Sequence, residues 1–252
     1  MSKDLYTTAR SLAERLPAVR RMARGAVPGQ VRAWLYRRHF QRKLSASGDP
    51  RQIFQRIYDL NWWNSTESRS GPGSELTTTA PLRRALTEWL ERHRDEIGTL
   101  LDAPCGDFNW MRYVALPQGM RYIGGDIVPA LIEANTASYT REGRSFCTLD
   151  IVEETIPAAD AWLCRDVLFH LPFAMGQKVC NAFLASDARY FLSTTFPDAD
   201  NAEDIPVGWY RPINLEKAPY HLGKPVELLA DPSENDPDPH RVIGIWKHPR
   251  LG

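Results

Sequence analysis

The sequence predicts an α/β fold: a doubly wound, mostly parallel seven-stranded sheet with an N-terminal helical extension. Three observations predict it. From residue 99 onward, short apolar runs alternate with stretches of helical periodicity, the pattern of a parallel sheet covered on both faces. Four successive runs end at an aspartate: Asp102, Asp126, Asp150 and Asp166. After a turn-rich stretch over 195–240 that holds eight prolines, two further apolar runs supply the last strands.

The first 46 residues read as two helical pieces broken at Pro28-Gly29. Leu5, Leu12, Leu16 and Val19 recur at helical spacing in the first, and Val31, Trp34, Leu35 and Phe40 in the second. Ser47-Gly48-Asp49-Pro50 breaks the chain and starts a third helix, whose apolar face is Ile53, Phe54, Ile57 and Leu60. Residues 61–79 are rich in Ser, Thr and Gly but carry Trp62 and Trp63, which predicts an ordered loop rather than a linker. Thr79-Ala80-Pro81 opens a helix bearing Leu82, Leu86, Trp89 and Leu90; a proline is favourable there because its missing N–H has no partner in the first turn. The strand predictions are Thr99–Ala103, Arg121–Gly125, Ser145–Leu149, Ala161–Cys164, Tyr190–Ser193, Val226–Leu229 and Val242–Trp246. Helices are predicted between them at 108–115, 129–141 and 173–186. The chain thus divides into a basic helical arm (1–46), a helical cap with its loop (47–96), and the sheet domain (97–252).

Composition narrows the function classes. The 252 residues are 43% hydrophobic and 25% charged, as in an ordinary soluble globular protein. The net charge of zero conceals an asymmetry. Residues 1–46 hold eleven basic side chains against Asp4 and Glu14, leaving 20 basic and 29 acidic for the rest, so the arm is near +9 and the body near −9. Cys105, Cys147, Cys164 and Cys180 form no CxxC, which argues against a disulfide framework or a zinc site. The acidic stretch Asp231–His240 lacks the spacing and glycine of a calcium loop and reads as a solvated hairpin tip, so no metal is predicted. No apolar run approaches the roughly 20 residues of a membrane span, and no secretory signal opens the chain. A reduced, cytoplasmic setting is the expectation.

Ligands of open α/β sheets bind beyond the carboxyl ends of the strands. Four carboxylates along that edge are electrostatically costly unless a cationic or hydroxyl-rich ligand sits there. The alternative is that some of them cap the helices that come next.

The segment Leu100-Leu-Asp-Ala-Pro-Cys-Gly-Asp-Phe-Asn-Trp110 resembles the first nucleotide-binding motif of class I S-adenosylmethionine-dependent methyltransferases. Tyr122-Ile-Gly-Gly-Asp-Ile127, Leu149-Asp150-Ile151 and Cys164-Arg-Asp-Val-Leu-Phe-His-Leu-Pro172 resemble that family's next three strand ends. The resemblance implies a Rossmann-like methyltransferase fold and S-adenosyl-L-methionine as cofactor. It assigns cofactor contacts to Asp102, Ala103, Pro104, Cys105, Gly106, Asp126, Ile127, Asp150, Ile151 and Arg165. Asp126 would take the ribose hydroxyls and Asp150 the adenine amine, while Gly106 would let the backbone approach the cofactor. Pro104 and Phe108 stand where the family often has glycine, and the absence of GxGxxG argues against a nicotinamide cofactor.

The DxPCGDFxW form of the motif is similar to a bacterial subgroup linked to sugar and surface-glycan pathways, which points to O-methylation of a small or glycan-like acceptor. The loop Ile57–Ser74 also resembles a segment of that subgroup. Trp62, Glu67 and Ser70 from this loop, with Arg211 and Asn214 from Tyr210–Leu215, are the acceptor-side candidates. The competing view is that both tryptophans are core residues and Arg211 belongs to a well-packed loop. A hydroxyl acceptor must lose its proton as it attacks. His170 is assigned as the base and Asp166 as its orienting partner; otherwise His170 caps a helix and water takes the proton. Two other classes stay open: a non-catalytic protein of this fold that docks on an anionic membrane or partner through residues 1–46, and a nucleic-acid methyltransferase. The second ranks lower, because the basic charge is confined to the arm and no NPPY-like motif comes after the fourth strand.

Overall fold

The break at Gly48-Asp49-Pro50 starts helix α1 (Pro50–Asp59), where the Asp49 side chain accepts from the Arg51 amide at 3.0 Å. This is an N-cap aspartate satisfying an orphan first-turn donor. Ile53 and Ile57 are buried, and Phe54 packs on the core. Leu60 departs from expectation: it is the C-cap residue and is 49% exposed, so the apolar face stops at Ile57. The structure is a computed structural model that describes residues 48–232 and 240–249. The chain divides into two units, Met1–Gly48 and Asp49–Gly252, and the sheet with its helices lies in the second. The basic arm (1–46) and most of the Asp231–His240 tip lie outside the described residues.

Helix α2 (Ala80–Arg92) precedes β1 (Thr99–Asp102) and β2 (Arg121–Asp126). Helix α3 (Pro129–Tyr139), β3 (Arg144–Thr148), β4 (Ala161–Cys164), α4 (Phe173–Ala185), β5 (Tyr190–Thr195), β6 (Glu227–Ala230) and β7 (Val242–Lys247) come next. The seven strands form one sheet in the order β3-β2-β1-β4-β5-β7-β6. β1 to β5 are parallel, and β7 runs antiparallel between β5 and β6. The strand order reverses between β1 and β4, so the carboxyl ends of these two strands mark the switch point at which open α/β sheets bind ligands.

Strand alternation divides the core between two faces. Leu101, Ala103, Trp162, Cys164 and Phe191 pack with Val179, Cys180 and Phe183 of α4. Leu100, Ala161, Leu163, Leu192, Ile243 and Ile245 face the other way, toward Leu82, Leu86, Trp89 and Leu90 of α2. The helix expected at 108–115 is absent. Only a 3-10 turn, Met111–Tyr113, forms there, because Gly106 (φ 54) and Phe108 (φ 57) both take left-handed backbone and break the helical path. Phe108, Trp110, Met111 and Val114 are buried nonetheless, so an irregular segment does the covering work of a helix.

Candidate active site

The topology brings the four aspartates to one edge in the spatial order Asp150, Asp126, Asp102, Asp166, from the end of β3 to the end of β4. Asp102 closes β1, is buried, and accepts the Tyr122 hydroxyl at 2.6 Å. Burial pushes its carboxyl up to about 7, against the pull of Tyr122 and Arg165. Asp126 closes β2 and accepts the amides of Gly106 and Val128, each at 3.0 Å. Burial raises it to about 6 despite those two bonds. Asp150 lies two residues beyond β3 and is half-buried, accepting the Val152 amide at 2.9 Å. Asp126 and Asp150 thus each close a turn on the amide two residues ahead while standing at the sheet edge.

The turn after β1 is held from several sides. Ala103 gives its amide to Leu163 O (2.9 Å), and its carbonyl accepts the Trp162 indole N–H (2.9 Å), so this residue is wall rather than ligand donor. Pro104 is half-buried. Cys105 is buried, and burial pushes its thiol well up, away from reactivity. Asn135 of α3 donates to the Gly106 carbonyl at 2.8 Å. Ile127 is half-buried, and Ile151 is buried in the α4-side core.

The loop 61–79 is ordered, as expected, and lies on this turn. Asp107 accepts from Ser68 Oγ (3.0 Å to each oxygen), the Arg69 amide (2.7 Å) and Ser70 Oγ (3.4 Å), and its own amide donates to Ser70 Oγ. Asp107 was not among the expected site residues, although an aspartate beside the motif glycine is the signal that could have marked it. Ser70 lies where a Cβ on residue 106 would have to go, so the loop packs directly on Gly106. Glu67 Oε1 accepts the Leu76 amide and the Asn109 side-chain amide, both at 2.7 Å. That oxygen closes the loop, and Glu67 itself is exposed.

Beyond β4, Arg165 and Asp166 join a ring of alternating charge. Arg165 reaches Asp166 (3.0 Å) and Asp231 (2.9 Å), and Arg241 reaches the same two carboxylates at 3.3 and 3.2 Å. Arg165 also donates to Gly73 O at 2.9 Å and lies over the Trp110 ring. Burial alone would loosen the Arg165 proton, but Asp166 and Asp231 hold it above its ordinary range. Burial would likewise raise Asp166, yet Arg165, Arg241 and the Thr194 hydroxyl (3.0 Å) keep it below the usual carboxylate range. Arg165 therefore braces the edge through protein contacts.

His170 ends a 3-10 turn, Leu168–His170. Its Nδ1 lies 2.7 Å from the Trp209 carbonyl, and a carbonyl only accepts, so Nδ1 carries the proton and Nε2 the lone pair. Burial holds the imidazole below its ordinary 6.5, against the upward pulls of Trp209 and Asp166. The orienting bond expected from Asp166 comes instead from the Trp209 backbone; Asp166 is taken up by the charge ring. Trp63, not Trp62, stacks on the imidazole, with centroids 5.5 Å apart. Trp62 is half-buried one residue away, its amide on Ile57 O.

The side chains of Arg211 and Asn214 are engaged with other parts of the chain. Arg211 is buried against the Phe173 ring (4.0 Å), the Tyr220 hydroxyl (3.2 Å) and Asp204 (3.4 Å). Asn214 is buried with its amide on Pro197 O and its Oδ1 on the Glu216 amide. Both fasten the 196–222 segment, the well-packed alternative for Arg211. Both side chains are buried in contacts within the protein, which a sequence motif does not reveal.

No family model matches the sequence. Over 103 residues it is 31% identical to the ribosomal protein L11 methyltransferase of Dechloromonas aromatica (strain RCB), a match covering 38% of this chain and 34% of that protein. The chain thus spans about a third of the length of this curated relative. Among solved structures it resembles the magnesium protoporphyrin IX methyltransferase of Synechocystis PCC 6803 with bound S-adenosylmethionine. The TM-score is 0.58 at 14% identity, over 81% of this chain and 99% of that one. It also resembles the mitomycin 7-O-methyltransferase MmcR, with a TM-score of 0.54 at 19% identity, over 82% of this chain and 60% of that one. The seven-stranded sheet and its flanking helices give this chain the Rossmann-like fold of class I methyltransferases.

Proposed function

We propose that the protein transfers the methyl group of S-adenosylmethionine to a hydroxyl oxygen of a small or glycan-like acceptor. The observation that carries this reading is the row Asp150, Asp126, Asp102 and Asp166 along one edge of a methyltransferase-type sheet. The donor set suits this cofactor: carboxylates match its ammonium and its ribose hydroxyls. Asp102, Asp126 and Asp150 would hold the cofactor, which supplies when bound a methyl carbon already attached to a good leaving group. What this chain must add is position and a place for the acceptor's proton. His170 Nε2 takes that proton, while Nδ1–H stays on the Trp209 carbonyl and stops the ring from turning. Asp166, ionised and locked between Arg165 and Arg241, keeps a negative charge near the imidazolium that results.

Calorimetry with S-adenosylhomocysteine and NAD tests the binding half, and transfer of labelled methyl from S-adenosylmethionine into small molecules of a cell extract tests the chemistry. Binding of NAD with no response to S-adenosylhomocysteine ends the reading. Binding of S-adenosylhomocysteine with no transfer favours a non-catalytic protein of the same fold. The charge of residues 1–46, near +9, supports contact of that arm with an anionic membrane surface. Replacing Arg20, Arg21 and Arg24 by glutamine would then weaken flotation of the full chain with anionic liposomes. Among the described residues no helix is long and apolar enough to cross a membrane.

A further inference from the structure

We infer that Trp63 is a positioning residue for His170: its indole fixes the plane of the imidazole and stabilises the imidazolium formed when Nε2 takes a proton. The inference rests on the reading of His170 as base. The two rings are stacked, with centroids 5.5 Å apart and planes 29° from parallel. Such a face attracts a cation through the quadrupole of the ring, and tryptophan offers the strongest of these faces.

Trp63 is itself held in place. Gly71, at φ 93, passes so close that a Cβ there would lie 2.9 Å from the Trp63 Cβ. The Gly71 amide donates to Ser68 O at 3.1 Å, and Ser68 is bound in turn to Asp107. Trp63 is thereby tied to the turn after β1, the turn expected to meet the cofactor. The rest of the imidazole is enclosed by the Trp209 carbonyl on Nδ1, by Phe169 edge-on at 4.4 Å and by Tyr210 at 6.3 Å. Nδ1 is committed to that carbonyl, so Nε2 is the ring nitrogen left for chemistry.

Among the described residues, few charges face this ring. Asp166 comes from its own segment, countered by Arg165 beside it and by Arg241 from the approach to β7. The 207–212 segment offers the Tyr210 ring and turns Arg211 away to Asp204 and Tyr220. The loop offers Trp63 itself. A change of face at Trp63 therefore acts on the imidazole directly.

The test is an imidazole nitrogen NMR titration of the full chain, with and without S-adenosylhomocysteine, for the wild type, Trp63→Phe and Trp63→Leu. The His170 signal is identified by its loss in His170→Asn. Leucine keeps an apolar cover but has no aromatic face. In Trp63→Leu, His170 should titrate about half a unit to one unit lower, the size of an aromatic face acting on a cation. Trp63→Phe should restore most of that shift, with S-adenosylhomocysteine affinity within a few-fold in all three proteins. A Trp63→Leu protein whose His170 titrates as in the wild type overturns the inference, and so does a phenylalanine variant displaced as far as the leucine one. Failure of the wild type to bind S-adenosylhomocysteine sinks the methyltransferase reading instead, while the ligand-free titration still decides the role of Trp63.

Discussion

Gly106 and Ser70 meet where no further atom fits: a Cβ on Gly106 would lie 2.2 Å from Ser70 Oγ and 3.2 Å from its Cβ. Ser70 cannot easily turn aside, because its hydroxyl accepts the Asp107 amide. Gly106 also sits at φ 54, where an alanine costs about 1–2 kcal/mol from backbone sterics alone. Gly106→Ala should therefore destabilise the protein by more than that backbone cost. Adding Ser70→Gly should recover the contact part and leave the backbone part. Urea denaturation of the two single variants and the double variant separates them, and a Gly106→Ala protein as stable as the wild type would show that the loop yields freely.

Two buried carboxyls make stability depend on pH in an unusual direction. Burial lifts Asp102 to about 7 and Asp126 to about 6, well above their unfolded values near 3.9. Between those limits the folded protein holds protons that the unfolded chain has released. These groups therefore cost stability as pH rises from about 4 to about 7, and the full cost is present above that window. Asp102→Asn, which removes the charge, should gain stability over the wild type at about pH 8 and lose that advantage near pH 4. Thermal melts across this range check it. On the proposed function, cofactor binding should reverse the shift, because an ammonium placed beside Asp102 would favour the charged form. Calorimetry of S-adenosylhomocysteine near pH 6.5 in two buffers of different ionisation enthalpy should then show protons released.

The strands were legible because each is a short apolar run bounded by polar or turn residues. Every strand begins within one residue of expectation, and β4, Ala161–Cys164, matches at both ends. The segment 108–115 was not legible. Phe108, Met111 and Val114 repeat at helical spacing, yet the left-handed backbone at Gly106 and Phe108 sends them into the core by an irregular path. The carboxylate row could be read from strand ends alone. What could not be read is which side chains bond within the protein: Glu67 Oε1 holds the Leu76 and Asn109 amides, and Asn214 is buried on Pro197 O. Of two adjacent tryptophans, only the backbone turn after α1 decides which one meets His170. The ring of Arg165, Asp166, Asp231 and Arg241 pairs residues up to 75 positions apart, a pairing that no local pattern announces.

That ring is closed and neutral, and most of it is almost entirely buried. The side chain of Arg165 is 3% exposed and that of Asp231 is 0%. Removing one partner leaves a guanidinium without its counter-charge, which costs about 3–5 kcal/mol in buried pairs. Asp231→Ala should lose stability of that order in urea denaturation. It should also loosen the 72–74 turn, since Arg165 would no longer be held where it donates to Gly73 O. Asp231→Asn keeps the shape and should lose less. Faster hydrogen exchange at 70–75 in the alanine variant, with little change in α2, is the accompanying expectation. Equal stability of the alanine variant and the wild type would show that the ring is solvated in solution.

The fate of the acceptor's proton turns on His170. The Trp209 carbonyl keeps the hydrogen on Nδ1, so the lone pair sits on Nε2. Burial holds the imidazole below 6.5, so it is neutral at pH 7 and ready to accept. Activity that depends on this base should be constant at neutral pH and fall only as pH drops through the depressed value. The stability contribution has the same sign. The folded protein resists protonation there, so stability tied to His170 is present above about 6.5 and lost as pH falls toward the folded value. His170→Ala should cost about 10²–10⁴-fold in turnover with the acceptor found by methyl labelling, the usual span for removing a general base. The acidic limb of the pH profile should vanish with it, while S-adenosylhomocysteine affinity stays within a few-fold, because none of the carboxylates proposed to hold the cofactor (Asp102, Asp126, Asp150) bonds to the ring. Asp166→Asn should act differently. It unbalances Arg165 and Arg241, so its loss of turnover comes with lower stability, and the acidic limb persists but moves to lower pH because Asp166 no longer pulls the imidazole up. An active His170→Ala enzyme with an unchanged profile would return the proton to water and leave His170 as a packed ring beneath Trp63.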